Sequence, residues 1–123
     1  MIHKNIYGRE LKYCTPVNST KITGYNRNGK CELLDNDEGT HIVCAIMTDE
    51  FLNFTLSRGN DLITPRGSFK GLVKGDNWCI CALRWIEAYK AGFAPPIIGE
   101  STHEKFLNYV PKKIVEKYII SYT

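Results

Sequence analysis

The chain has no CxxC pair, no GxSxG and no glycine-rich phosphate loop of the Walker or Rossmann pattern. These absences leave no sequence signature for a zinc ribbon, a serine hydrolase elbow or a nucleotide cradle. No apolar run approaches the ~20 residues a membrane span needs, so no membrane partner is expected. The opening MIHKNIYGRE lacks the apolar h-region of a secretory signal. A cytoplasmic location is therefore expected, and with it reduced thiols rather than stable disulfides. Charge of one sign is also scarce. Sixteen Lys/Arg stand against thirteen Asp/Glu, for a net charge of +3. A nucleic-acid binder would show a basic stripe interleaved with aromatics. The one cluster here is Lys112, Lys113 and Lys117, which on a helix reads as a solvated face. A nucleic-acid partner is not expected.

What remains has the composition of a globular domain, and 123 residues suffice for one core, so residues 1–123 are read as a single domain. Residues 1–20 are irregular. Asn28-Gly29, between apolar flanks, predicts a tight hairpin turn. His41–Met47 reads as a buried strand. Thr48 then caps a helix with Asp49 and Glu50 in its first turn and Gly59 as its stop. A long glycine-bearing loop spans 60–76, and loops of that length are often functional. Asn77–Ala82 is a second short strand. It leads into a helix with Trp85, Ile86 and Tyr89 inward, ending at Gly92. Ile97-Ile98 is expected at a sheet edge, Thr102 at the cap of a short helix over 103–110, and Pro111 at the start of a last helix. The expected fold is α+β: a compact domain with a small sheet, an N-terminal β-hairpin and about four packed helices. Val43-Cys44-Ala45 echoes Ile80-Cys81-Ala82. If the two β–α units lie side by side, the sheet is mixed and Cys44 neighbours Cys81.

A set of ordered words runs through the middle of the chain. It includes His41-x-Val43-Cys44-Ala45, Gly59-Asn60-Asp61-Leu62, Trp78-Cys79-x-Cys81-Ala82, Arg84-Trp85-x-Glu87-Ala88 and Thr102-His103-Glu104. In these words the chain resembles the family called domain of unknown function 2237, small and mostly bacterial proteins. It departs from that pattern at Lys70, Lys74 and Ser101. The resemblance implies a one-domain cytosolic protein and brings no reaction, cofactor or substrate.

The residues themselves support three readings. The first is a small-molecule site at the C-terminal ends of the two strands, with or without catalysis. Cys81 lies at a strand-to-helix junction, where helix amides and dipole favour a thiolate. His103 and His41 would supply imidazoles, with Asp37 or Glu38 beside His41. Cys81, His103 and Asp61 are the catalytic candidates, expected to meet in one cleft. His41, Asn60, Arg84, Trp78 and Thr102 would contact the ligand, Arg84 pairing an anion unless Glu87 occupies it first. A second reading is structural zinc held by Cys31, Cys44, Cys79 and Cys81. A third is a protein-interaction module with an exposed apolar patch in 109–122. Against the first two stands burial of Cys44 and Cys79 as small core residues, and Asn60-Asp61 and Gly75-Asp76 also make good turns.

Overall fold

A computed structural model describes residues 3–16 and 18–120. Its sheet has two strands, β1 (Val43–Ile46) and β2 (Asn77–Ile80), paired antiparallel. The mixed sheet is corrected by this pairing. Met47 N–H donates to Asp76 O (2.8 Å) and Gly75 N–H to Met47 O (2.9 Å), so β2 starts beside the end of β1. The long loop spends its length returning the chain to that end.

Alternation along each strand sorts the side chains onto two faces. Val43, Ala45, Trp78 and Ile80 join the main apolar core, while Cys44 and Cys79 face a second, smaller one. Cys44 is the cross-strand partner of Cys79, which corrects the expected Cys44–Cys81 pairing. Each of the two reaches a different loop: disulfides join Cys14 to Cys44 and Cys31 to Cys79. An isolated two-stranded ribbon is marginal in water. Here one face carries helices and the other is stapled to the irregular segment before β1.

The disulfides also overturn two expectations. Free thiols were expected, yet four of five cysteines are paired, and the argument for a cytoplasmic setting loses its footing because disulfides persist in oxidising compartments. The zinc set of Cys31, Cys44, Cys79 and Cys81 fails because three of its members are in bridges, and a bridged sulfur offers no thiolate to a metal. The sulfurs of Cys14, Cys31 and Cys44 do lie within 4.8 Å of one another, but because the two bridges are neighbours.

The helices are α1 (Asp49–Ser57), α2 (Ala82–Ala91) and α3 (Lys112–Glu116), with 3-10 turns at Gly99–Ser101 and Glu104–Asn108. Among the described residues three α-helices stand where about four were expected, since the 103–110 segment closes i→i+3 bonds and stops at Pro111. Thr48 caps α1 by accepting from Phe51 N–H (3.1 Å), and Gly92 ends α2 in the left-handed conformation at φ 87°. Trp85 is fully buried, donates Nε1–H to Pro95 O (3.1 Å), and meets Tyr89, Phe106 and Tyr118 ring to ring. Ile97 bridges Ala45 on one side and Ile119 on the other, so the edge expected at Ile97-Ile98 is single bridges rather than a strand. The described tail packs inward: Val110 and Val115 are buried, and Ile114, Tyr118 and Ile119 lean on the core.

No N-terminal β-hairpin forms among the described residues. Gly29 takes φ 88°, but its carbonyl accepts from Cys14 and Thr15 N–H, and its amide donates to Thr23 O. The turn therefore docks against the 14–15 segment rather than pairing its own flanks. A Cβ on Gly29 would come 2.4 Å from Thr15 O, so the approach requires glycine.

Candidate functional site

A cleft of ≈ 690 Å³ opens between the start of β1 and the end of β2. Antiparallel pairing puts opposite strand termini there, not two C-terminal ends. Five of the sequence-derived candidates line it: His41, Asn60, Trp78, Cys81 and Arg84. Arg27, Arg66, Tyr25 and Phe69 line it as well. No local sequence signal marks these four, which sit in loops whose paths only tertiary packing determines.

One hydrogen bond organises the end of the cleft that holds His41 and Cys81. Thr40 O accepts from Ala82 N–H (3.1 Å), the first amide of α2. His41 follows the acceptor and Cys81 precedes the donor, so the two side chains flank a single bond. Thr40 holds φ 52°, an uncommon conformation for a non-glycine residue. The turn before it is fixed by Asp37, whose carboxylate is buried. Asp37 Oδ2 accepts from His41 N–H (2.8 Å), and Asp37 Oδ1 lies 2.7 Å from His41 Nδ1. An ionised carboxylate only accepts, so Nδ1 carries a proton, and in the neutral imidazole Nε2 is the acceptor. The ring also rests on Gly39, where a Cβ would come 2.5 Å from its Cε1.

Cys81 is the one free cysteine among the described residues and is half-buried. It is the N-cap residue of α2, and its side chain makes no capping bond. No hydrogen bond joins its thiol to His41 among the described residues.

The remaining cleft candidates are anchored. Arg84 donates to Glu87 Oε1 (3.2 Å) and to Arg58 O (3.2 Å). Asn60 donates its amide to Thr55 Oγ1 (2.9 Å), fastening the chain after α1. Trp78 is 8% exposed, with the Arg27 guanidinium 5.2 Å from its ring centre.

Asp61, His103 and Thr102 do not line the cleft. Asp61 Oδ1 accepts from Ile63 and Thr64 N–H (3.0 Å each), a turn bond of the kind its sequence context allows. Hydrogen bonds from the Thr64 backbone and side chain first, then the Ile63 amide and Arg66, hold its carboxyl below the usual range against a smaller effect of burial. Thr102 is fully buried. Its hydroxyl donates to Ile98 O (2.9 Å) and accepts from Cys44 N–H (3.1 Å), tying β1 to the 98–102 turn. The expected helix cap is instead His103, whose Nδ1 accepts from Lys105 N–H (3.1 Å).

His103 is buried against the N-terminal segment, its Nε2 3.1 Å from His3 Nδ1. Because its Nδ1 accepts, Nε2 carries the proton and donates to His3. Burial, and then the neighbouring His3, hold its pKa below the ordinary 6.5, with Glu104 and Glu32 opposing. The unfolded chain therefore takes up this proton first as the pH falls. The stabilisation from neutral His103 is complete above 6.5 and is lost as pH falls from there towards the folded value. Urea unfolding at pH 7.5 and 5 should show a loss at the lower pH, and His103→Gln should reduce that loss. Equal losses in both proteins would assign the pH dependence to other groups.

These features define a small α+β domain stapled by two disulfides, with a free thiol and a carboxylate-held imidazole in one cleft. The chain belongs to the family described as an uncharacterised protein conserved in bacteria, DUF2237, whose model matches residues 4–119. No curated protein matches it.

Proposed function

We propose that the cleft binds a small molecule and performs nucleophilic chemistry on it, with Cys81 as nucleophile and His41, oriented by Asp37, as general base. The observation that carries this reading is the buried Asp37 carboxylate. It grips His41 at both backbone and ring and leaves Nε2 free in the cleft that also holds the free thiol. That is the logic of a nucleophile, a base and an orienting group. His41 takes the thiol proton, and the sulfur attacks an electrophilic carbon. An S–C bond forms, the bond to the leaving group breaks, and the leaving group departs with the proton returned from His41. A thiolate at Cys81 would face the positive end of α2 and the cleft arginines.

Alkylation of the native protein with iodoacetamide tests this. A single adduct on Cys81 is expected, formed faster than on an unstructured model thiol and slowed at least about tenfold in His41→Asn. A rate equal to that of the model thiol and indifferent to His41 would refute the reading.

A second reading rests on Cys79, which lines the same cleft while bridged to Cys31. Attack of the Cys81 thiolate on the Cys31 sulfur of that bridge would form Cys31–Cys81 and release Cys79 as thiolate, with no net change in electrons. Peptide mapping of the alkylated protein separates the two readings, because exchange would place label on Cys79.

A further inference from the structure

The cleft is lined by three arginines and one histidine, and by no aspartate or glutamate. The carboxylates that offset two of these arginines lie outside the lining: Glu87 on Arg84 (3.2 Å) and Asp61 on Arg66 (3.4 Å). Arg27 has no carboxylate within salt-bridge distance among the described residues. It donates one N–H to Gly24 O, and its guanidinium lies over Trp78, whose ring is within 5.7 Å of Phe69. Arg27 also holds φ 57° and, with Thr40, is one of two non-glycine residues in the left-handed region among the described residues. Arg27 lines this cleft, and Thr40 immediately precedes His41, which does. A smaller hollow of ≈ 260 Å³ shares Arg27, Phe69 and Trp78 with it, and again has no acidic lining residue.

From this we infer that the ligand of the cleft is an organic oxyanion, a phosphate ester or carboxylate attached to a flat apolar group, and that Arg27 is the residue that receives the anion. The inference rests on the thiol–imidazole reading for what happens to the ligand, but not for its binding. A guanidinium free of carboxylate has donors in the fork geometry that suits carboxylate and phosphate. Its contact with the Trp78 ring and its bond to Gly24 O hold the guanidinium in place. Tyr25 and Leu62, which also line the cleft, supply apolar surface of the kind small-molecule sites use. Arg84 and Arg66 already have carboxylate partners, which leaves Arg27 as the guanidinium available to the anion.

Two readouts test this separately from the thiol chemistry. The first compares alkylation of Cys81 by iodoacetate, an anion, with iodoacetamide, its neutral counterpart. The ratio of the two rates should exceed that of a neutral model thiol by about tenfold, fall with added salt, and drop at least about threefold in Arg27→Gln. A ratio equal to the model thiol's, with normal iodoacetamide reactivity, overturns the anion site and leaves the thiol reading standing. The second readout does not need a reactive thiol. Tryptophan fluorescence, followed during titration with phenyl phosphate and with phenol, should show saturable binding of the phosphate alone. Binding should weaken about tenfold in Arg27→Gln and less in Arg27→Lys. Saturation by both compounds, or by neither, overturns the inference even if Cys81 reacts with neither reagent. Unchanged urea unfolding of Arg27→Gln would show that the loss belongs to the site and not to the fold.

Discussion

Replacing Cys31 and Cys79 together by alanine is expected to lower the unfolding free energy by about 4 kcal/mol. The bridge spans 48 residues of sequence, and the chain-entropy cost it removes from the unfolded state grows with that span. The Cys14–Cys44 bridge spans 30 and is expected to contribute slightly less. Losses of this size are a large part of the stability of a small domain. Here they are amplified by position. The two bridges hold residues 14 and 31 against β1 and β2, and beside them that face of the sheet has hydrogen bonds and the apolar contacts of Ile98 and Ile46. All four bridged cysteines are at most 3% exposed, so a reductant under native conditions is a poor probe and paired substitution a better one. Urea unfolding of the variants against the parent measures the loss. The intact parent mass should be about 4 units below that of the reduced chain, two hydrogens for each bridge. Five free thiols in the denatured, unreduced protein would sink this account.

The pairing was out of reach of the sequence because spacing does not determine connectivity. Cys14, before a Thr-Pro, carried no strand or motif to mark it, and the zinc set took Cys81 in its place. The cap at Thr48 and the stops at Gly59 and Gly92 were legible, because each is decided within one helical turn. The two strands were legible as buried runs, but not their relative direction. That depends on where a nineteen-residue connection between Arg58 and Asp76 leads, and its path is closed by backbone bonds at Met47. The Asn28-Gly29 hairpin failed for a related reason: the local turn tendency lost to docking against Thr15.

The candidate site was legible where function and local structure share a residue. Cys81 stands where a strand meets a helix, and His41 follows an acidic loop at the head of a strand; both positions can be read from a few neighbours. His103 was placed in the same cleft on residue type alone. Its surroundings are made by His3, a hundred residues earlier, and no local pattern encodes that. Arg27 and Arg66 were missed because loop arginines are ordinarily solvated. What distinguishes them is the face each covers, Trp78 for one and Phe69 for the other.

Asp37→Asn should slow Cys81 alkylation about a hundredfold at neutral pH, the range in which a positioned general base contributes. The reason lies in counting donors. His41 presents two to residue 37, its backbone N–H and its ring Nδ1–H, and an ionised carboxylate accepts both. Asparagine has one acceptor oxygen and one donor amide. The backbone N–H cannot change, so the side-chain oxygen turns to it and the amide faces Nδ1. Nδ1 must then accept, the ring proton moves to Nε2, and the base in the cleft is lost although the ring stays where it was. Nitrogen NMR of the imidazole reads that exchange of tautomer directly. Asp37→Ala would remove both bonds, cost about 1–3 kcal/mol of stability from the donors left unpaired, and slow the thiol as well. Glu38→Gln, on the exposed neighbour, should leave both rate and tautomer unchanged. If Asp37→Asn shifts the tautomer and the alkylation rate stays at the parent value, His41 does not activate Cys81, and the cleft is a binding site with an incidental thiol.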